Sequence, residues 1–99
     1  MRSIKKYVEH IQEEIDSAKE YAEKYVELKA KGDVSAASKY REMAEDELKH
    51  ANYIHEFAVK EIEQISKVYK PPIDMQEKWE HEHKKFVESV AWIKQMLMM

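Results

Sequence analysis

The chain contains no cysteine, one glycine and two prolines in 99 residues. Without cysteine there is no disulfide, no thiol nucleophile, no iron–sulfur cluster and no cysteine-ligated zinc. With so little glycine and proline, the chain lacks the turn residues that a sheet protein needs at each reversal. No apolar run approaches the roughly 20 residues that span a bilayer. The opening Met1-Arg2-Ser3-Ile4-Lys5-Lys6 leads into a charged amphipathic segment and has no apolar stretch of the signal-peptide kind. These features set the expectation of a cytoplasmic protein that makes no use of a membrane. An excess of one charge is missing too: 17 Lys and Arg stand against 20 Asp and Glu, a net charge of -3. That balance gives no general affinity for nucleic acid.

What remains is the make-up of long helices. Charged residues reach 37%, and Lys, Glu, Ala, Tyr and Met are plentiful, most of them good helix formers. The length suits one domain, 1–99, with a modest core that joining to other copies would enlarge. Ile4, Val8, Ile11, Ile15, Ala18, Ala22 and Tyr25 recur at alternating spacings of four and three. This predicts a first helix over about 3–31, with Tyr7, Glu14, Tyr21 and Leu28 along the edge of its seam. Gly32 is placed to end that helix in a left-handed conformation. Asp33 or Ser35 can cap the next, predicted over about 34–69. The connection is short, so the two helices form an antiparallel hairpin. The second seam holds Ala37, Tyr40, Ala44, Glu47, Ala51, Ile54, Ala58, Ile62 and Ile65. Pro71-Pro72 then stops the helix. A third helix is predicted over about 74–97, capped by Asp74, with Trp79, His83, Phe86, Val90, Ile93 and Leu97 as its seam. The expected fold class is all-α: a long antiparallel helical hairpin plus a third helix.

Polar residues interrupt these seams at informative places. Glu47 takes a seam position, and His50 follows three residues later at the seam's edge. Residues three apart share a helix face, so both side chains can meet one ion. The neighbouring seam residues Ala44 and Ala51 are small and leave room. A buried carboxylate without a partner is costly, so it must be paired, protonated or bound to metal. Glu14 is the natural companion. A hairpin closing at Gly32 brings it alongside Glu47 to within about one helical turn of 5.4 Å. Two carboxylates and an imidazole suit iron, manganese or zinc. The plainer alternative is a paired or lysine-shielded glutamate at the wet margin of the seam. A chain this rich in charge produces some Glu-x-x-His by chance, and His55 and Glu56 are expected at such a solvated edge.

The third helix offers Glu77, Glu80, His81, Glu82 and His83. Glu80 and His83 form a second Glu-x-x-His, with His83 on the seam. The competing reading is a solvated acidic first turn, which also suits a helix N-terminus. It applies most strongly to His81 and Glu82. The aromatic residues Tyr7, Tyr21, Tyr25, Tyr40, Trp79 and Trp92 read most simply as core or interface. Tyr21 lies two turns from Glu14 and can approach a metal site there. The final Met96-Leu97-Met98-Met99 reads as a frayed tail or a partner-contact patch.

Glu14, Tyr21, Gly32 and Glu47-Leu48-Lys49-His50-Ala51, with the acidic lead-in Glu45-Asp46, resemble the rubrerythrin branch of the ferritin-like superfamily over about half the chain. Glu77-Lys78-Trp79-Glu80-His81 is similar to the start of that family's third helix, where both glutamates can ligate metal. The resemblance implies a di-iron carboxylate protein, with Glu14, Glu47 and His50 as metal ligands and Glu77, Glu80 and His83 as further candidates. It also implies oxidation of iron(II), or reduction of dioxygen or peroxide. Two parts of the family pattern are missing. There is no fourth helix with another Glu-x-x-His, and no cysteine-ligated iron domain, so a separate electron donor would be needed. Two-metal carboxylate sites in such bundles use four carboxylates and two histidines. One chain supplies half of that set, and a homodimer supplies all of it and completes the four-helix bundle. Half-length ferritin-like proteins, including those packaged in encapsulin compartments, are similar to such a dimer. The alternative is a swapped arrangement in which the third helix closes the site with Glu77, Glu80 or His83. Outside the enzyme reading stand a non-catalytic helical interaction module and a metal carrier or sensor without turnover.

Overall fold

The computed structural model describes residues 2–68 and 70–99. Three helices follow one another: α1 (Arg2–Ala30), α2 (Val34–Ser66) and α3 (Ile73–Leu97). The molecule is a rod of 55 × 17 × 17 Å. At 1.5 Å per residue, helices of this length account for its long axis.

The α1–α2 connection follows from its residues. Gly32 has φ +84°, a left-handed geometry that costs glycine no steric strain. The N–H of Asp33 bonds to the carbonyl of Leu28 at 3.0 Å, and that of Gly32 to the carbonyl of Lys29 at 3.0 Å. These bonds satisfy carbonyls that the helix end would leave orphaned. Asp33 rather than Ser35 is the cap: its Oδ1 accepts from the backbone N–H of Ala36 at 3.2 Å. The hairpin therefore closes within three residues and fixes the relative height of the two long helices.

The other helix ends differ slightly from expectation. α2 finishes at Ser66, and its last N–H bonds come from Lys67 and Val68. The expected end at Tyr69 lies outside the described residues. α3 begins one residue early, with Pro72 at the cap position and no side-chain cap. Asp74 therefore sits in the first turn instead of capping it. Gln76 Nε2 donates to the Pro71 carbonyl at 2.7 Å and braces this corner from inside the helix. At the other end of the rod, Lys29 Nζ donates to the Met99 carbonyl at 2.7 Å. This contact shows α3 running antiparallel to α2 and back beside the end of α1.

The core follows the predicted seams of α1 and α2; of the predicted α3 seam only Ile93 and Leu97 are buried, and His83 is exposed. Ile4, Ile11, Ile15, Ala18, Ala22 and Tyr25 of α1 are buried, as are Ala37, Ala44, Ala51, Ile54 and Ala58 of α2. The centre of the α1–α2 contact is thus mostly alanine, which lets the two backbones approach closely. α3 contributes Ile93, Met96 and Leu97. Met96 and Leu97 therefore belong to the core and are not part of a frayed tail, whereas Met98 and Met99 are exposed. Trp92 is half exposed. No helix is long and apolar enough to cross a membrane.

Steps of 100° per residue divide the hairpin into two flanks. Val8 and Gln12 of α1, with Leu48 and His55 of α2, turn to one flank. α3 covers that flank, lining cavities there with Trp79, His83, Phe86 and Val90. His10, Glu14 and Tyr21 of α1, with Met43, Glu47, His50 and Phe57 of α2, turn to the other. No described helix covers that second flank.

Candidate metal centre

The hairpin brings Glu14, Glu47 and His50 together. One ligand atom from each lies within 4.8 Å of the others, and among the described residues this is the group of three or more such side chains that meets that limit. His50 Nδ1 is 3.5 Å from Glu14 Oε2 and 3.9 Å from Glu47 Oε2. The Glu side chains are 18% and 22% exposed, and that of His50 is 55% exposed. The carboxylates are thus partly shielded, one helical turn along their own helices from the fully buried Ala18, Ala44 and Ala51, and the imidazole is the most exposed of the three. This arrangement follows from the local sequence. Glu47 and His50 share a face three residues apart, and the short Gly32 turn sets the height of Glu14 opposite them.

The two carboxylates are close enough to share a proton, and this drives their pKa values apart. Glu14 is held below the usual carboxylate value, first because Glu47 donates to it, with the His50 and His10 charges adding to the effect and burial opposing it. Glu47 is pushed above its usual value by that same bond, by burial and by the Glu14 charge. The pair therefore titrates as a unit, with one proton lost easily and the second held. A divalent cation would replace the held proton and neutralise both charges. The donor set of two carboxylates and one imidazole fits a hard to borderline ion such as iron(II), manganese(II) or zinc(II).

A fourth residue joins the cluster. His10 Nε2 lies 3.2 Å from Glu14 Oε1. It was not singled out from the sequence, although its spacing of four from Glu14 on the same flank is a legible signal. Tyr21 lies two turns from Glu14 toward the hairpin, where its ring packs on Tyr40 at a centroid distance of 6.1 Å.

Within one chain, Glu77, Glu80 and His83 do not join Glu14, Glu47 and His50. Glu77 and Glu80 are exposed near the start of α3. His83 turns toward α2, where its Nδ1 is 2.8 Å from His55 Nε2. His55 is consequently half-buried beneath α3 and not at the solvated edge expected of it. Its heptad position alone could not reveal this, because the covering residues come from another helix.

Comparison of the chain with protein-family models, with curated proteins and with solved structures gives no match. The reading of the site therefore stands on its geometry.

Proposed function

We propose that the protein binds divalent transition metal, iron(II) foremost, through Glu14, Glu47 and His50. On this reading it is a short relative of the rubrerythrin and ferritin-like proteins. The observation that carries it is the convergence of three ligand atoms within 4.8 Å on a floor of fully buried alanines. Iron(II) held there would supply electrons to dioxygen or peroxide. The chain's own residues do the rest. Glu14 and Glu47 offset the cation's charge, Glu47 gives up its proton on binding, and His50 supplies the nitrogen donor. His10, hydrogen-bonded to Glu14, orients that carboxylate from outside the ligand set.

The site is half of a two-metal set, and we propose that a second copy of the chain completes it. His50 is at the rim, and the same flank exposes Met43 (40%) and Phe57 (56%). A second hairpin laid against that flank would cover these apolar side chains. It would also bring four carboxylates and two Glu-x-x-His histidines together, the ligand count of a di-metal bundle.

One observation favours a second reading. His10 and His50 flank Glu14 at 3.2 and 3.5 Å, which satisfies a carboxylate without any metal. In that case the cluster is a polar contact within a helical interaction module. The deciding experiment measures metal per chain by elemental analysis of untagged protein loaded anaerobically with iron(II), together with mass in solution. The metal reading expects about one iron per chain in a dimer or larger assembly, and iron(II) oxidation on admitting oxygen. Protein that holds no metal after loading sinks that reading. Bound iron with no turnover leaves a carrier or sensor.

A further inference from the structure

We propose a second metal site, separate from the first, formed by His55 of α2 and His83 of α3. It would take a divalent ion that prefers square or tetragonal nitrogen ligation, copper(II) or nickel(II), and clasp the third helix to the hairpin.

The geometry is that of two cis ligands. His55 Nε2 and His83 Nδ1 are 2.8 Å apart. With metal–imidazole bonds of about 2.0 Å, two ligands at 90° are separated by about 2.8 Å, and two at the tetrahedral angle by about 3.3 Å. The observed spacing thus matches the square or octahedral edge before any movement. The His55 ring is also held in place, while His83 is exposed. His55 stacks on Phe86 at 4.8 Å with planes 4° apart, and on Trp79 at 5.7 Å and 22°. The His55 and His83 rings are themselves 4.9 Å apart and inclined by 31°. A ligand side chain packed against aromatic rings loses little further freedom on binding.

Space and charge agree. The two histidines open onto a cavity of about 20 Å³, lined also by Glu82, Gln12 and Ser89. That is room for one water-sized occupant. Burial and the neighbouring His83 hold the His55 imidazole below its usual pKa, against the opposing pull of Glu56. The neutral ring, which is the ligating form, is thereby favoured. Each imidazole has a second nitrogen, so the proton now shared between the rings can move to the far nitrogen of one of them when an ion enters. No net ionisation is required. Glu56 and Glu82 supply negative charge nearby, and water completes the coordination.

The site bridges two helices whose order depends on the Pro71-Pro72 corner. An ion there would therefore resist separation of α3 from the hairpin. The test uses copper(II) and full-length chain carrying His50→Gln, which removes a ligand of the first site. Expected are one tight copper per chain, an electron paramagnetic resonance signal split by two imidazole nitrogens, and slower amide exchange across 73–97. His55→Gln and His83→Gln should each weaken binding by at least about tenfold, and His81→Gln should leave it unchanged. Nitrogen-15 labelling of histidine in the otherwise unaltered His50→Gln chain gives the nitrogen count even if a His55 variant fails to fold. Copper affinity left unchanged by either substitution would overturn the proposal. So would fewer than two imidazole nitrogens in the signal, or exchange across α3 that copper leaves unchanged.

Discussion

Replacing Glu47 by glutamine should stabilise the metal-free protein and abolish its metal binding, two effects of opposite kind from one atom. Above the raised Glu47 pKa both carboxylates are ionised, with ligand oxygens within 4.8 Å of each other. At that upper limit of 4.8 Å, two unit charges repel by about 1 kcal/mol in a water-like dielectric and about 3.5 kcal/mol at an effective dielectric of 20. Side chains 18% and 22% exposed fall between these limits, so relief of about 1–2 kcal/mol is expected. The glutamine side chain keeps an N–H donor for Glu14 and fills the same volume. Little is lost on the other side, because His50 is 3.9 Å from Glu47, too far for a hydrogen bond.

The pH dependence fixes the cause. Glu47 is raised above its ordinary 4.5. Its favourable contribution is therefore complete below that value and is lost as pH climbs through the raised one. Glu14 is lowered, so its contribution is present above the ordinary value and disappears as pH falls through the depressed one. The Glu47→Gln substitution removes only the first of these. Thermal melts followed by circular dichroism in chelator should thus show the E47Q gain at pH 8 and its absence near pH 4. For a domain of this size the rise is about 4–8 °C per kcal/mol. Destabilisation at pH 8 would refute the argument, as would an equal gain at both pH values, since neither is compatible with repulsion between two carboxylates.

Three other substitutions test the surroundings. Ala51→Leu places a large side chain at a residue with no exposure, between α1 and α2 and next to His50. Overpacking of this kind costs about 1–3 kcal/mol, and urea unfolding should show it together with weaker iron binding. Phe57→Glu alters a side chain that is 56% exposed in the single chain. It should leave the helical content unchanged and shift sedimentation from dimer to monomer; a dimer that persists would place the interface elsewhere. Gly32→Ala meets no atom within 4 Å of the added Cβ, yet φ is +84°. Its cost is therefore purely conformational, about 1–2 kcal/mol, read as a lower urea midpoint with an unchanged slope.

How much could be read in advance depended on how local each determinant was. The seams of α1 and α2 were legible because burial repeats with the helical period, and Ala18, Ala22, Ala44 and Ala51 all proved fully buried. The Gly32 turn was legible because a positive φ between two long helices calls for glycine. Together these two facts place Glu14 beside Glu47 and His50, so the candidate metal centre could be found from spacing alone. His10 obeys the same spacing rule and could have been found with it.

The His55–His83 contact lies beyond that kind of reasoning. Its two halves are 28 residues apart, joined through a proline corner whose geometry no helical period encodes. Periodicity places His83 on the inner stripe of α3, but it does not say which residue of α2 that stripe will meet. That register is set by large side chains, Trp79 and Phe86, closing on His55, together with Gln76 bracing Pro71. The hairpin site is thus written in residues three, four and seven apart, and any chain with that pattern and a tight turn would form it. The inter-helix site exists only if α3 docks in this one register. For that reason an ion held there would report on, and reinforce, the position of α3, whereas an ion at Glu14, Glu47 and His50 would be indifferent to it.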